Sequence, residues 1–229
     1  MKVRIINPAT LEEVLAGEEG EVCCTGPNVM VGYHNNPAAN AEVFFNCKTT
    51  GHRYFRSGDI GKMVDNKFLQ ITGRIKEQFK LENAKYVVPA PLEDMVTRSH
   101  YINQCFLYGD NKPFTVLLVV PELNELKSWC KSKNIPVDDK NLSLLYKHPD
   151  VIAHLSREIK HVCLLMKSFE RPSRFLILDE PFSQDNQMMT PKMSLRRKNI
   201  VAKYGNLIND MYANDPAIAI GHATNPTYK

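Results

Sequence analysis

The sequence predicts an α+β protein in two unequal blocks, and three observations carry that reading. Up to about residue 72, short alternating apolar segments are punctuated by Gly, Pro, Asn and Asp, the pattern of antiparallel strands joined by turns. Beyond Gly73 the spacing changes to the three-to-four residue repeat of amphipathic helices. Within that second block Val116–Val120 is an unbroken apolar run, too short to span a bilayer but right for a strand buried on both faces.

In order along the chain, Val3–Ile6, Glu21–Thr25, Arg53–Arg56, Ile60–Val64 and Phe68–Thr72 read as strands. Asp65-Asn66 has the residue types of a hairpin turn. Pro37–Phe45 reads as a helix, entered by Asn36 as N-cap with Pro37 in the first turn. In the second block, helices are predicted at Pro91–His100, Glu122–Lys133, Pro149–Lys167 and Leu195–Tyr212. Strands are predicted at Ile102–Tyr108, Thr115–Val120 and Arg174–Leu178, and residues from about Asp215 lack periodicity and read as a frayed tail. The first block has little helix to cover it and is small for a freestanding domain, so it reads as part of a longer chain.

Composition narrows the function classes. At 43% hydrophobic and 24% charged residues, the chain is neither a disordered tail nor a low-complexity linker. A net charge of +4 is too small to argue for a nucleic-acid partner. Positive charge is local: Lys192, Arg196, Arg197, Lys198 and Lys203 occur with no acid between them, either as a solvated helix face or as a phosphate contact. The six cysteines form no CxxC pair and read as reduced thiols. His154 and His161 share a helix face with no third ligand in register, so no metal site is assigned. GxSxG, HExxH and Walker-type loops are absent.

Two segments carry chemistry. In Tyr54-Phe55-Arg56-Ser57-Gly58-Asp59, a strand ends at a glycine followed by a carboxylate. Such a carboxylate can accept two hydrogen bonds from a vicinal diol such as a ribose, although Ser-Gly-Asp is also an ordinary turn. Fifteen residues after Asp59 comes Arg74, in Gly73-Arg74-Ile75-Lys76-Glu77-Gln78-Phe79-Lys80, followed by Val87-Val88-Pro89 and Glu93.

Together these resemble the adenylate-forming superfamily, whose pattern is Y-x-R-[ST]-G-D, a hairpin, G-R-x-K-[DE]-x-x-K and V-x-P-x-x-x-E. Gly20-Glu21-Val22, Gly26-Pro27-Asn28-Val29-Met30, Gly32-Tyr33 and Asn36-Pro37 fit the approach to the first motif. Leu107-Tyr108-Gly109-Asp110, Val119-Val120-Pro121, Phe169-Glu170, Pro181-Phe182-Ser183 and Asp185–Pro191 are similar to the long-chain fatty acyl-CoA synthetases. The resemblance is to the C-terminal third of such an enzyme. It implies that residues 1–72 are the incomplete β-rich end of a large adenylation domain, 73–76 a hinge, and 77–214 a mobile α+β domain, with 215–229 as tail.

The implied activity is a two-step, AMP-forming ligation of a fatty acid to coenzyme A, with ATP and coenzyme A as substrates and Mg2+ accompanying ATP. The fragment alone is expected to be inactive, because the phosphate-binding loop and acyl tunnel belong to the part of the enzyme preceding this segment. The alternatives are a ligase for another carboxylic acid, or a nucleotide-binding regulatory member that has lost adenylation. By motif position Asp59 and Arg74, with Tyr54, fall on the ATP/AMP site, Lys76 on the hinge, and Ala84 with Lys85 on the coenzyme A channel loop. The family usually has glycine where Ala84 stands. Its last motif, T-P-T-x-K, ends in the adenylation lysine, whereas here Thr190-Pro191 is followed by Lys192-Met193-Ser194. In an extended segment residues two apart share a side, so Lys192 is expected to take over the contact from the neighbouring site; the alternative is that Lys192 only joins the basic patch and the domain lacks its adenylation lysine. The resemblance places the protein in the cytoplasm or peripherally on the cytosolic face of a membrane, with the basic helix from Leu195 as a possible lipid contact.

Overall fold

Asn36 caps the first helix as its residue type predicts, its Oδ1 accepting from the Ala39 amide at 3.1 Å, with Pro37 in the first turn. The structure is a computed structural model that describes residues 1–138 and 141–213. These form two units, Met1–Gln78 and the residues from Phe79 onward. The expected tail at 215–229 lies outside the described residues.

The first unit is an antiparallel sheet. Its elements are β1 (Lys2–Ile6), β2 (Gly20–Thr25), α1 (Pro37–Val43), β3 (Phe44–Asn46), β4 (Arg53–Val64) and β5 (Phe68–Arg74), followed by a 3-10 turn at Ile75–Glu77. The strand order is β1-β2-β4-β3, with β5 pairing with β4. Asp65 and Asn66 both have positive φ, 51° and 53°, as the tightest hairpin turns demand. The core is small: Ile6, Cys23, Cys47 and Tyr54 are buried, with Phe45 packed against them. The predicted helix Pro37–Phe45 stops at Val43, because Phe44 and Phe45 pair with Phe55 and Tyr54 as strand residues.

The larger correction concerns β4. The predicted strands Arg53–Arg56 and Ile60–Val64 are one strand. Ser57-Gly58-Asp59, which reads as a turn, is instead a bulge within it. Glu21 pairs with Ile60 and Cys23 with Arg56, so Val22 alone faces three residues of β4.

The second unit comprises β6 (Phe79–Lys80), β7 (Tyr86–Val87), α2 (Pro89–Val96), β8 (Ile102–Tyr108), β9 (Val116–Pro121), α3 (Leu123–Ser132), α4 (Leu142–Tyr146), α5 (Pro149–Val162), β10 (Arg174–Ile177) and α6 (Arg197–Ala213). Its main sheet runs β10-β9-β8, with β10 parallel and β8 antiparallel to β9. All six residues of β9 are buried. The pleat sends Leu117 and Val119 to one face, with Leu126, Cys130, Val151, Leu155 and Ile159 of α3 and α5. Val116, Leu118 and Val120 go to the other, with Ile200, Tyr204 and Ile208 of α6. Two covered faces explain the unbroken apolar run.

The helix α4 is not among those predicted from the sequence, and the other helices of this unit differ from expectation at their ends. The helix expected at Pro91–His100 begins at Pro89, and the one expected to reach Lys167 gives way to a 3-10 turn at Cys163–Leu165. All six cysteines are free thiols. Among the described residues, no helix is long and apolar enough to cross a membrane, and no three His, Cys, Asp or Glu side chains are grouped to hold a metal ion.

Candidate nucleotide and ligation site

In the first unit, the bulge in β4 is stabilised from beneath by Glu21 of β2, a carboxylate only 2% exposed. Its Oε1 accepts from the Gly58 amide at 3.1 Å, and its Oε2 from Arg56 Nε at 2.8 Å. Burial of this carboxylate is compensated by a guanidinium and a backbone donor, the condition under which a buried charge is tolerated. Gly58 has φ +74°, a conformation glycine adopts without the steric cost a side chain would add. Ser57 Oγ accepts from the Asp59 amide at 3.0 Å and fixes the next residue.

A second irregularity faces the first. Ile60 pairs with Gly73 and Gly61 with Ile71, which leaves Thr72 as an extra residue on β5. Bulges re-aim neighbouring side chains, and here the flanking pair is Asp59 with Arg74. Arg74 Nε donates to Asp59 Oδ1 at 2.7 Å, and that hydrogen bond raises the affinity of the guanidinium for its proton. Both groups remain partly exposed, with side-chain accessibilities of 31% and 61%, and keep polar atoms for a ligand. A cleft of ≈ 290 Å³ is lined by Tyr33, Glu42, Arg56, Gly58, Arg74 and Lys76, among others, but not by Asp59. Lys76 lies in the 3-10 turn that follows β5.

Tyr54 is a correction. It is 1% exposed and stacks on Phe45 with ring centroids 5.8 Å apart, so it packs the core and offers no surface to a nucleotide. Its place in the motif reflects strand alternation. Glu21 is the residue whose role sequence reading missed. It appeared only within Gly20-Glu21-Val22, and nothing local signals that it would reach Gly58 across 37 positions.

In the second unit the predicted residues stand on turns. Ala84 closes the β6–β7 hairpin, its amide donating to the Leu81 carbonyl at 2.9 Å, with φ +64°. That is the left-handed region in which glycine is favoured, so alanine here adopts a backbone shape that suits glycine better. Lys85 follows, its amide donating to Asn83 Oδ1 and its amine 5.9 Å from the Phe169 ring centroid.

Lys192 requires a second correction. The segment around it is a tight turn, with the Met193 amide donating to the Thr190 carbonyl at 2.9 Å and the Thr190 amide to the Ser194 carbonyl at 2.8 Å. Thr190 Oγ1 accepts from the Ser194 amide, Met193 has φ +60°, and Met189 bridges Leu195. Pro191 suits the position after the turn's first residue. The rule that residues two apart share a side therefore does not apply, and Lys192 is exposed at the tip of the turn.

The basic run beyond it is largely occupied. Arg197 forms a double hydrogen bond to buried Glu93 of α2, through Nη1 to Oε1 at 3.0 Å and through Nη2 to Oε2, and Lys203 pairs with Glu180. Glu93 also accepts from the Leu107 amide at 2.7 Å. Burial pushes its carboxyl up, against the pull of Arg197. The solvated-face and phosphate-contact readings of this run are both reduced to Lys192, Arg196 and Lys198.

A family model described as the AMP-binding enzyme C-terminal domain matches residues 76–216. Over 214 residues the chain is 29% identical to long-chain-fatty-acid–CoA ligase 1 of Cavia porcellus, covering 92% of this chain and 30% of that protein. It is 32% identical over 206 residues to long-chain-fatty-acid–CoA ligase FadD15 of Mycobacterium tuberculosis, covering 90% of this chain and 33% of the relative. The chain thus spans about a third of the length of these relatives. Among solved structures, the adenylation domain of a Mycobacterium chelonae carboxylate reductase superposes with a TM-score of 0.72 at 20% identity, over 93% of this chain and 31% of the other. The o-succinylbenzoate–CoA synthetase of Bacillus subtilis in complex with AMP gives 0.56 at 19%, over 86% and 32%; at such identities the likeness is one of fold. The chain belongs to the adenylate-forming, AMP-binding enzymes, and it carries their C-terminal domain.

Proposed function

We propose that this chain is the C-terminal portion of an AMP-forming long-chain fatty acid–CoA ligase, active as part of a longer protein. The observation that carries the reading is the Asp59–Arg74 pair on two facing bulges, with Arg74 lining a cleft, in a chain similar over most of its length to long-chain ligases. In the first step, a fatty acid carboxylate attacks the α-phosphorus of ATP, giving an acyl-adenylate and pyrophosphate. In the second, the thiol of coenzyme A attacks the acyl carbon and AMP leaves.

Asp59 accepts hydrogen bonds from the ribose hydroxyls in both steps. Arg74 holds that carboxylate in place through its Nε and offers its remaining N–H groups to ribose and phosphate oxygens. Lys76 is the hinge residue about which the downstream domain, residues 77–214, changes position between steps. The Ala84–Lys85 turn lines the coenzyme A path. Lys192, exposed at the tip of its turn and not on a strand face shared with Ser194, supplies positive charge to the phosphate and carboxylate oxygens during adenylation. Magnesium enters with the phosphates of ATP and is not assigned a ligand here.

A second reading draws on the Thr190–Ser194 turn. With Ser194 in the usual lysine position and Lys192 at a turn tip, the protein would bind nucleotide without activating an acid. Pyrophosphate release by the full-length protein, measured over a panel of carboxylic acids with and without coenzyme A, separates the readings. Release that depends on long-chain fatty acids, with thioester and AMP after coenzyme A is added, supports the ligase. Release with another acid only keeps the chemistry and rejects the substrate. ATP binding without release from any acid favours the second reading.

A further inference from the structure

We propose that Gln104 is a positioning residue for adenylation, fixing the segment that carries Lys192 through a two-way hydrogen bond to the backbone of Phe182. The proposal rests on the assignment of Lys192 to adenylation and names the group that holds it in place.

Gln104 stands at an irregularity of the second unit's sheet. Ile102 of β8 pairs with Pro121 and Gln104 with Val120, so Asn103 is an extra residue and the strand is bulged there. Beyond the bulge, Gln104 shares a face of the pleat with Phe106, toward the cluster that holds Phe182, Met188 and Met189. Its side chain is half-buried. Oε1 accepts from the Phe182 amide at 2.7 Å, and Nε2 donates to the Phe182 carbonyl at 3.0 Å, across 78 positions of sequence. The carboxamide thus pairs with Phe182 as a neighbouring strand would, satisfying both backbone groups of a residue that belongs to no strand.

From Phe182 the constraint continues to Lys192 through the backbone. The Ser183 carbonyl accepts from the Met188 and Met189 amides at 3.0 and 2.9 Å. Asn186 Oδ1 accepts from the Ser183 amide at 2.9 Å and from the Met188 amide at 3.2 Å. The Met188 carbonyl accepts from the Arg196 amide at 2.7 Å, and Met189 bridges Leu195. Both ends of the Thr190–Ser194 turn are therefore joined to each other and to Ser183, so the place of Lys192 follows the place of Phe182.

Burial of Phe182 and Met188, each 2% exposed, holds this segment against the sheet, but apolar contact is non-directional. A two-way hydrogen bond sets direction and register as well. Glu93 ties the far side of the turn through Arg197, but it also accepts from the Leu107 amide, so its removal disturbs the sheet itself. The carboxamide of Gln104 bonds to the Lys192 segment, to Phe182 and, at 3.6 Å, to the Met189 sulfur, which makes its replacement a local perturbation.

The test is half-reaction kinetics of the full-length protein carrying Gln104→Glu, which keeps the side chain's size and its acceptor but loses the donor when ionised. Pyrophosphate release from ATP and palmitate should fall at least about tenfold in kcat, with KM for ATP changed by less than about twofold. Thioester formation from supplied palmitoyl-adenylate and coenzyme A should be unchanged. Lys192→Ala should lose pyrophosphate release too, and adding Gln104→Glu to it should cost no further rate, as for residues that act through one group. Hydrogen exchange should quicken across residues 180–196 and stay unchanged in β9.

Unchanged kcat, equal slowing of both half-reactions, an additive loss with Lys192→Ala, or lost protection in β9 overturns the positioning role. Lys192→Ala with full pyrophosphate release, or an unmodified protein without release, removes the adenylation assignment and the positioning role with it. Loss in Lys192→Ala without loss in Gln104→Glu removes the positioning role alone.

Discussion

The groups assigned to chemistry are held differently in the two units. In the first, Asp59 is fixed by bulges in both β4 and β5, by Ser57 and Arg74 directly and by buried Glu21 through Gly58. In the second, Ala84, Lys85 and Lys192 stand on exposed turns, while the packed sheet and helices beneath them carry the rigidity. A group that grips the same sugar through two reaction steps gains from a fixed position. Groups used in a single step can sit on turns, provided the frame under the turns does not yield.

That contrast is most sharply tested by breaking the frame. Glu93→Ala leaves Arg197 without its carboxylate and the Leu107 amide without its acceptor. Loss of one partner of a buried pair costs about 3–5 kcal/mol. Urea denaturation should therefore show the second unit destabilised by about that amount, with the first unit unaffected. A comparable change at exposed Lys192 should cost less than about 0.5 kcal/mol.

A smaller effect is expected from pH. His154 of α5 is 7% exposed, stacked on Trp129 at 4.1 Å and edge-on to Tyr101 at 4.3 Å, and its Nε2 is buried with no hydrogen-bond partner. Burial lowers its pKa from 6.5; Glu158 opposes that shift, while Arg157 and Lys133 reinforce it. The unfolded chain therefore takes up the proton first. Stability is unchanged well above pH 6.5 and falls as the pH drops below it toward the lower folded-state value. Trp129, the chain's one tryptophan, reports this through its fluorescence in denaturant titrations at pH 7.5 and 5.5. His154→Phe should flatten the difference, and an unchanged pH dependence in that variant would remove His154 as the cause.

The smallest effect is expected at a turn. Ala84→Gly relieves a left-handed backbone and should raise stability by about 1 kcal/mol or less, since greater freedom of the unfolded glycine offsets part of the gain. A shift of the denaturation midpoint in the other direction would mean that the turn is unstrained.

Elements defined by local periodicity were legible in the sequence. Asn36 and Pro37 start α1, Asp65-Asn66 makes the hairpin, and the apolar run Val116–Val120 lies between two covered faces. What was not legible depends on partners distant in sequence. Ser57-Gly58-Asp59 has the composition of a turn, and only pairing with both β2 and β5 makes it a bulge inside one strand. Arg197 reads as part of a solvated basic run because Glu93 lies 104 positions away. Tyr54 reads as a ligand residue from its motif, although its side of the strand faces the core. At Lys192, the assumption of extended backbone failed where Pro191 and the Thr190 hydroxyl close a turn.

The fixed-carboxylate assignment is tested most directly by the sugar specificity of the full-length protein, with and without Asp59→Ala. The measurement is kcat/KM for pyrophosphate release from ATP and from 2′-deoxy-ATP. Hydrogen bonds to a charged group are worth about 1.5–3 kcal/mol, so the unmodified protein should prefer ATP by at least about tenfold. Asp59→Ala should lose activity with ATP and most of that preference. Equal preference in both proteins would contradict the assignment of Asp59 to the ribose.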